Sequence, residues 1–224
     1  MNTEDIENLP WWLLYSDDVN WVKLYLKHNP EKINMEYVYF FDTFTPMTFA
    51  IKNNRVDIID ALIELGCDVN YQDRTFKRTP LHFCCVNNNR SIIEKLIAAG
   101  ANGNLTDVYQ LTPLHLAAQY CTDSNIINLL IPLCNPNSTD KSGNTPLHIC
   151  SFYNNNTDML KSLIDVTYDI NCKNNSNKTP LDFSSYNNEE YVKILLDKKG
   201  TYSIPNPGRF PQFIPIPNLI NVNN

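Results

Sequence analysis

Three histidines, His82, His115 and His148, are the residues whose type and regular spacing first suggest chemistry. An imidazole nitrogen can bind a metal ion or transfer a proton near neutral pH. Each histidine ends a Thr-Pro-Leu-His motif, and the motif recurs every 33 residues. Zinc needs each coordinating nitrogen within about 2.1 Å, whereas packed helices lie about 8–10 Å apart. Histidines of successive units therefore cannot share one ion, and we predict that each imidazole has a structural role, reaching back toward its own threonine.

Other catalytic signatures are missing from the sequence. It contains only six glycines, with no Gly-rich phosphate loop, no His-Glu-x-x-His and no Gly-x-Ser-x-Gly. The paired carboxylates Asp17-Asp18 and Glu189-Glu190 are predicted at helix starts, where negative charge interacts favourably with the helix dipole. We therefore predict a protein that is not an enzyme and that uses neither a metal nor a cofactor.

The seven cysteines indicate reduced thiols. Their number is odd and no Cys-x-x-Cys occurs, so neither a disulfide framework nor a zinc knuckle is indicated. Cys84 and Cys150 fall at the same repeat position, where small buried residues are expected. This usage is typical of a reducing compartment.

The composition indicates a soluble chain. Its 224 residues are 43% hydrophobic, and 18 Lys and Arg against 24 Asp and Glu give a net charge of −6. Nucleic-acid binding needs clustered positive charge, so we expect no nucleic-acid partner. No apolar run approaches the ~18 residues of a membrane span, and the acidic start is unlike a signal peptide. We expect a cytoplasmic protein without a membrane partner.

An internal repeat determines where these residues must lie. Five Thr-Pro pairs are separated by 34, 33, 33 and 34 residues: Thr45-Pro46, Thr79-Pro80, Thr112-Pro113, Thr145-Pro146 and Thr179-Pro180. Threonine is a good N-cap, and proline suits the first position of a helix. Each pair therefore predicts the start of a short helix, and an apolar stripe further on predicts a second helix. A period near 33 residues predicts a stack of units rather than a globule.

The ends of the second helices are also marked. Gly66, Gly100 and Gly200 are predicted to end three of them in the left-handed conformation. Pro132 is predicted to distort the last turn of another, because proline removes a hydrogen-bond donor and crowds the preceding turn.

The repeat resembles the ankyrin repeat. The segments that carry the resemblance most clearly are Asp140-Lys-Ser-Gly-Asn-Thr-Pro-Leu-His148, Thr112-Pro-Leu-His-Leu-Ala-Ala118 and Gly66-Cys-Asp-Val-Asn70. The resemblance implies an all-α solenoid of stacked helix-turn-helix units joined by β-hairpin-like loops. It divides the chain into an ankyrin domain over 1–200 and a tail over 201–224. Within the domain, 1–39 form a degenerate N-terminal cap and 40–200 form five repeats.

In ankyrin stacks, hairpin tips and the exposed ends of the first helices form a concave recognition face. The resemblance implies that this face binds a protein, and that the chain is a monomer. Several of the implied residues are aromatic, and aromatic side chains are common interface anchors. Mapped by register, the predicted partner-binding residues are Phe76, Arg78, Val108, Tyr109, Leu111, Gln119, Tyr120, Lys141, Asn144, Phe152, Tyr153 and Tyr186.

Two further segments carry open hypotheses. Asn70 and Asn171 fit the pattern that asparaginyl hydroxylases modify in ankyrin repeats, and the alternative is a hydrogen-bonding turn asparagine. The tail contains five prolines among apolar residues, which favours an extended conformation. It either covers the exposed face of the last repeat or docks on a partner.

The resemblance thus predicts a non-enzymatic scaffold for protein binding. Asn-rich ankyrin chains of this size are familiar among effectors of intracellular bacteria and large DNA viruses, so one hypothesis is an effector acting on a host protein in the host cytosol. An IκB-like inhibitor that masks a transcription factor is an alternative. A third alternative, of another class, is the substrate-presenting part of an enzyme complex.

Overall fold

A computed structural model of the chain describes residues 18–39, 42–184 and 189–201. Several predictions fall outside these ranges. They include the partner-binding role of Tyr186, the beginning of the N-terminal cap and the conformation of the tail beyond Thr201.

The described chain is built from helices that are arranged in pairs after an N-terminal cap. The cap contributes α1 (Val19–His28), followed by a 3-10 turn at Pro30–Lys32. The first helices of the five repeats are α2 (Pro46–Lys52), α4 (Pro80–Val86), α6 (Pro113–Tyr120), α8 (Pro146–Tyr153) and α10 (Pro180–Ser184). The second helices are α3 (Val56–Glu64), α5 (Arg90–Ala98), α7 (Ser124–Leu130), α9 (Thr157–Val166) and α11 (Glu189–Asp197).

One short hairpin is regular enough to form strands. Strand β1 (Tyr37–Tyr39) pairs antiparallel with β2 (Asp42–Phe44), with Val38 opposite Thr43. The described loops that precede the other first helices form no strands. The predicted all-α solenoid with hairpin-like connections is confirmed.

The Thr-Pro pairs start the first helices as predicted. Thr45, Thr79, Thr112 and Thr145 are extended N-cap residues, and the proline that follows each is the first helical residue. Thr145 Oγ1 accepts from the backbone N–H of His148 at 3.5 Å. The missing N–H of proline costs nothing at this position because the first turn of a helix has unpaired donors.

The core is a continuous layer rather than a central cluster. First helices pack on the first helices of the flanking repeats, and second helices pack on neighbouring second helices. Ile58 and Leu62 of α3, Ile92 and Leu96 of α5 and their counterparts further on are fully buried. Each repeat therefore depends on its neighbours for burial, as expected for a solenoid.

Two predicted helix ends differ from the structure. Gly66 and Gly100 have φ of 79° and 90°, as predicted, but in the last repeat Lys199 has φ of 66° and Gly200 follows it. The predicted role of Gly200 is therefore wrong by one residue. Helix α7 ends at Leu130, so Pro132 lies outside it and distorts no helical turn. Among the described helices, none is long and apolar enough to span a membrane.

Candidate functional site

The three motif histidines connect successive repeats. Nε2 of His82 lies 3.0 Å from the carbonyl oxygen of Leu111, and Nε2 of His115 lies 3.1 Å from that of Asn144. Nε2 of His148 makes the equivalent contact, 3.0 Å from the carbonyl oxygen of Lys178. Each acceptor residue immediately precedes the Thr-Pro pair of the next repeat. The histidines therefore fix the start of each following first helix.

The other ring nitrogen binds the helix start of its own repeat. The backbone N–H of Thr79 donates to Nδ1 of His82 at 3.1 Å, and the hydroxyl of Thr79 lies 2.8 Å from the same atom. Thr112 and Thr145 contact their histidines in the same way. Nδ1 is thus the acceptor and Nε2 carries the proton that is donated to the next repeat. The predicted structural role is confirmed.

Burial keeps these imidazoles neutral. It lowers the pKa of His82 to about 3 and those of His115 and His148 to about 4, although the carbonyl acceptors favour the charged form. A neutral imidazole has one donor and one acceptor, and both are used here. In the described part of the chain, no three His, Cys, Asp or Glu side chains form a group that could hold a metal ion.

The hairpin loops are held rigidly by buried acidic or amide side chains. Asp107 Oδ1 accepts from the backbone N–H groups of Tyr109 and Leu111 at 2.8 and 3.0 Å. Asp140 and Asn174 form the same turn in the next two repeats. A short Asp or Asn side chain favours such turns because it can bind backbone N–H groups two and four residues on.

Main-chain hydrogen bonds also join neighbouring hairpins. The N–H of Val108 donates to the carbonyl of Phe76 at 2.8 Å, and the N–H of Lys141 donates to the carbonyl of Tyr109 at 3.0 Å. Asn175 continues the series by donating to the carbonyl of Ser142 at 3.0 Å. The hairpins therefore present their tips as one continuous edge.

We use the name recognition face for the surface formed by these hairpins and by the C-terminal ends of the first helices. Most of the predicted partner-binding residues lie on it with part of their side chain accessible. Lys141 is exposed, and the half-buried members are Phe76, Val108, Tyr109, Gln119, Tyr120, Phe152 and Tyr153.

Three predicted partner-binding residues are inaccessible. Arg78, Leu111 and Asn144 are 4%, 1% and 4% exposed. All three immediately precede a Thr-Pro pair. At Leu111 and Asn144, the histidine of the preceding repeat binds the main-chain carbonyl. The three side chains are therefore buried, and their contact with a partner stays a prediction.

Arg78 instead belongs to a buried ion pair. Its Nε lies 3.2 Å from Asp107 Oδ2, and the two side chains are 5% and 0% exposed. The face of its guanidinium also lies 5.6 Å from the centre of the Phe76 ring. These contacts link the hairpins of two repeats, so Arg78 supports the recognition face from below.

An open groove of ≈ 570 Å³ lies at the edge of the recognition face, between the C-terminal ends of α6 and α8 and the turns that follow them. Two predicted residues, Tyr120 and Tyr153, line it. The remaining lining residues are Gln119, Cys121, Thr122, Asn154, Asn155, Asn156 and Thr157. Sequence reasoning missed the polar side of this groove. The run Asn154-Asn155-Asn156, directly after a first helix, was the available signal.

The polar wall of the groove is itself held in place. Asn154 Nδ2 donates to the carbonyls of Ala118 and Cys121 at 3.1 and 2.8 Å, and Asn156 Nδ2 donates to that of Thr122 at 2.8 Å. Because these bonds cross from one repeat to the previous one, the width of the groove is fixed by the stack.

Aromatic rings continue along the face beyond the groove. The rings of Phe152 and Tyr153 meet edge to face with centroids 4.7 Å apart, and Phe152 contacts Phe183 in the same manner at 5.9 Å. Such contacts restrain the rings without covering them. The face therefore offers aromatic surface whose conformation is already fixed.

The two candidate hydroxylation sites have structural hydrogen bonds. Asn70 Nδ2 donates to the carbonyl of Gly100 at 3.0 Å, and its Oδ1 accepts from the N–H of Asn102 at 2.7 Å. Asn171 makes the corresponding bonds with Lys199 and Thr201. The role of a hydrogen-bonding turn asparagine is thus present at both positions, and their hydroxylation stays a prediction.

Comparison with known families identifies the repeats. The model described as ankyrin repeats (3 copies) matches residues 65–137 and 114–206, which together span more than half of the chain. The model of a single ankyrin repeat matches residues 42–70. No curated protein matches the sequence.

Proposed function

Because the chain belongs to the ankyrin-repeat family, we propose that it is a non-enzymatic scaffold that captures a protein partner on its recognition face. Ankyrin repeats generally mediate protein–protein interaction. The observation that carries the choice of surface is the groove between α6 and α8, which has Tyr120 and Tyr153 in its lining.

Tyrosines in such a groove are suited to protein recognition. A tyrosine contributes a large apolar ring and a hydroxyl while losing little conformational entropy on binding, since it has only two side-chain torsions. Both rings are already half-buried against the core, so their positions are largely fixed before a partner arrives. Preorganisation of this kind lowers the entropic cost of association.

The rest of the face is also preorganised. The hydrogen bonds between hairpin tips and the histidine bonds beneath them fix neighbouring repeats relative to one another. A rigid, extended surface favours a partner that lies across several repeats rather than one that enters a single pocket.

The finer function rests on composition. Asn-rich ankyrin chains of this size are familiar among host-directed effectors, and we propose on this basis that the partner is a host protein met in the cytosol by a monomer. None of the described residues favours an IκB-like inhibitor or the arm of an enzyme complex, so we propose neither.

Affinity capture with matched variants tests the proposal. Wild type, Tyr120→Ala/Tyr153→Ala and Tyr168→Ala would each be immobilised and exposed to the same lysate, and bound proteins would be identified by mass spectrometry. Tyr168 is a suitable control because it is 95% exposed and lies after a second helix, away from the groove. We expect at least one protein to be retained by wild type and by Tyr168→Ala but lost by the double variant. If the double variant retains every captured protein, the proposed surface is wrong.

A further inference from the structure

Charge is divided between the two sides of the stack, although the chain as a whole has a net charge of −6. The five hairpins, over 37–44, 71–78, 105–111, 138–144 and 172–178, together with the five first helices, carry seven cationic residues and five carboxylates. The five second helices carry four cationic residues and nine carboxylates. The recognition face is therefore the positive side of an acidic protein.

Accessibility increases this contrast. Four of these five carboxylates are buried: Asp73 is 3% exposed, Asp107 4%, Asp140 6% and Asp182 5%. Their oxygens already bind backbone N–H groups, Asn144 or Arg78. Arg78 is the buried cation of this set. The accessible cationic side chains are those of Lys52, Arg74, Lys77, Lys141, Lys173 and Lys178. A partner thus meets cations on this face and no exposed carboxylate from the hairpins over 71–78, 105–111, 138–144 and 172–178 or from the five first helices.

Lysines on the two sides are also used differently. On the second-helix side, Lys95 pairs with Asp60 at 2.7 Å, and Lys198 pairs with Asp165 at 3.2 Å, in both cases across a repeat boundary. Within the described residues, none of the ion pairs includes Lys77, Lys141, Lys173 or Lys178. The positive charge of these four lysines is therefore left for an external ligand.

Aromatic rings accompany these cations. The ammonium group of Lys141 lies 6.0 Å from the centre of the Tyr109 ring, and that of Lys52 lies 5.8 Å from that of Phe83. Such rings contribute apolar contact area beside the charge. The surface thus suits a ligand that combines carboxylates with apolar side chains.

We infer that the partner segment bound by the recognition face is an acidic polypeptide, with several Asp or Glu side chains facing the hairpin lysines and apolar side chains facing the tyrosine groove. This inference rests on the proposed function and specifies the chemistry of the partner. A protein ligand fits better than a nucleic acid, because phosphate recognition favours bidentate arginine. The one accessible arginine on these hairpins, Arg74, is already paired with Glu36 at 3.2 Å.

A labelled poly-L-glutamate chain provides a direct probe. A protein of net charge −6 repels a polyanion overall, so binding requires a local positive surface. We expect wild type to bind this probe and to lose affinity as salt is raised, because exposed charge pairs are screened. The variant Lys77→Gln/Lys141→Gln/Lys178→Gln should bind about tenfold more weakly, given the modest contribution of each exposed pair.

The matched control removes three lysines from the other side. Lys27→Gln/Lys161→Gln/Lys193→Gln makes the same change in net charge at exposed positions of α1, α9 and α11. It should bind the probe within about twofold of wild type, since these lysines lie away from the recognition face and salt screens charges at a distance. Equal losses in the two triple variants would overturn the inference, because the effect would then follow net charge alone.

A second experiment separates this inference from the proposed function. Random peptides displayed on phage would be selected on wild type and on the hairpin triple variant. In a separate measurement, binding of labelled oligo-dT to wild type would be compared with binding of labelled poly-L-glutamate. We expect peptides selected on wild type to be enriched in Asp and Glu and to lose binding to the Tyr120→Ala/Tyr153→Ala variant. Peptides that need the tyrosines but show no acidic enrichment would overturn the inference and leave the proposed function standing. Binding of oligo-dT that is stronger than that of poly-L-glutamate would also overturn it.

Discussion

Nε2 of His115 lies 3.1 Å from the main-chain carbonyl oxygen of Asn144, 29 residues further along the chain. Its other ring nitrogen binds the start of its own helix at Thr112. One fully buried side chain thus joins two repeats at the positions where both first helices begin. Equivalent bonds from His82 and His148 make this the recurring connection of the stack.

Substitution of His115 by Ala should lower the free energy of unfolding by about 2–4 kcal/mol, because it leaves the buried N–H of Thr112 unpaired, removes one of the two hydrogen bonds to the Asn144 carbonyl and opens a cavity. Urea unfolding followed by circular dichroism measures the change. His28→Ala is the matched control, since His28 is exposed and Nδ1 contacts only the Leu24 carbonyl of its own helix. A loss no larger than that of the control would show that the inter-repeat bond contributes little.

Stability should also fall as the pH is lowered from about 6.5 toward 4. In the unfolded chain the histidines take up protons near pH 6.5, whereas burial lowers the pKa of His82 to about 3 and of His115 and His148 to about 4. Acid therefore favours the unfolded chain, by up to about 1.4 kcal/mol per pH unit for each histidine within this window. Unfolding free energies at pH 7.5, 6.0 and 5.0 test this. A constant stability between pH 7.5 and 5.0 would contradict the neutral, buried state of the histidines.

The buried pair Arg78–Asp107 gives a third test. Arg78→Gln should cost about 3–5 kcal/mol of unfolding free energy, because it leaves the Asp107 carboxylate buried without its counter-charge. Arg90→Gln also breaks an arginine–carboxylate pair, but the Arg90 and Glu94 side chains are 49% and 46% exposed, so its cost should stay below about 1 kcal/mol. Equal costs for the two variants would mean that Arg78 is not held as the structure shows.

Gly143 gives a fourth test, at a hairpin tip. Its φ is +78°, and a Cβ at this position would lie 2.6 Å from Asn175 Oδ1 and 2.8 Å from the Asn175 backbone nitrogen. Gly66 has a similar φ of +79°, but a Cβ there would meet no atom within 4 Å. Gly143→Ala should therefore cost more unfolding free energy than Gly66→Ala. The difference, about 1–3 kcal/mol by analogy with other packing clashes, measures how tightly neighbouring hairpins approach. Equal costs would mean that the two hairpins separate easily.

The sequence was sufficient to predict the repeat and its helix starts, because Thr-Pro is a local signal. The N-cap threonine, the first-position proline and the histidine bond to its own threonine all lie within four residues. The second histidine bond could not be predicted in the same way. Its acceptor is a main-chain carbonyl about 30 residues away, and every residue type has such a carbonyl.

The candidate site was predicted less well for a related reason. Side chains at hairpin positions 76 and 109 are partly accessible, whereas those at 78 and 111 are buried. The repeat register places all four positions on hairpin loops but does not distinguish the accessible side chains from the buried ones. Their burial depends on how the next repeat packs against the loop. The groove between α6 and α8 likewise depends on hydrogen bonds from Asn154 to the previous repeat, which no local pattern indicates.

Site-specific photocrosslinking tests most directly the claim that the recognition face captures the partner. A benzophenone amino acid would be placed at Gln119, beside the tyrosine groove, or at Lys161, on the exposed side of α9. After addition of the protein identified by affinity capture and irradiation, adducts would be detected by mass spectrometry. We predict an adduct from position 119 and none from position 161. An adduct from position 161 with none from position 119 would contradict the account.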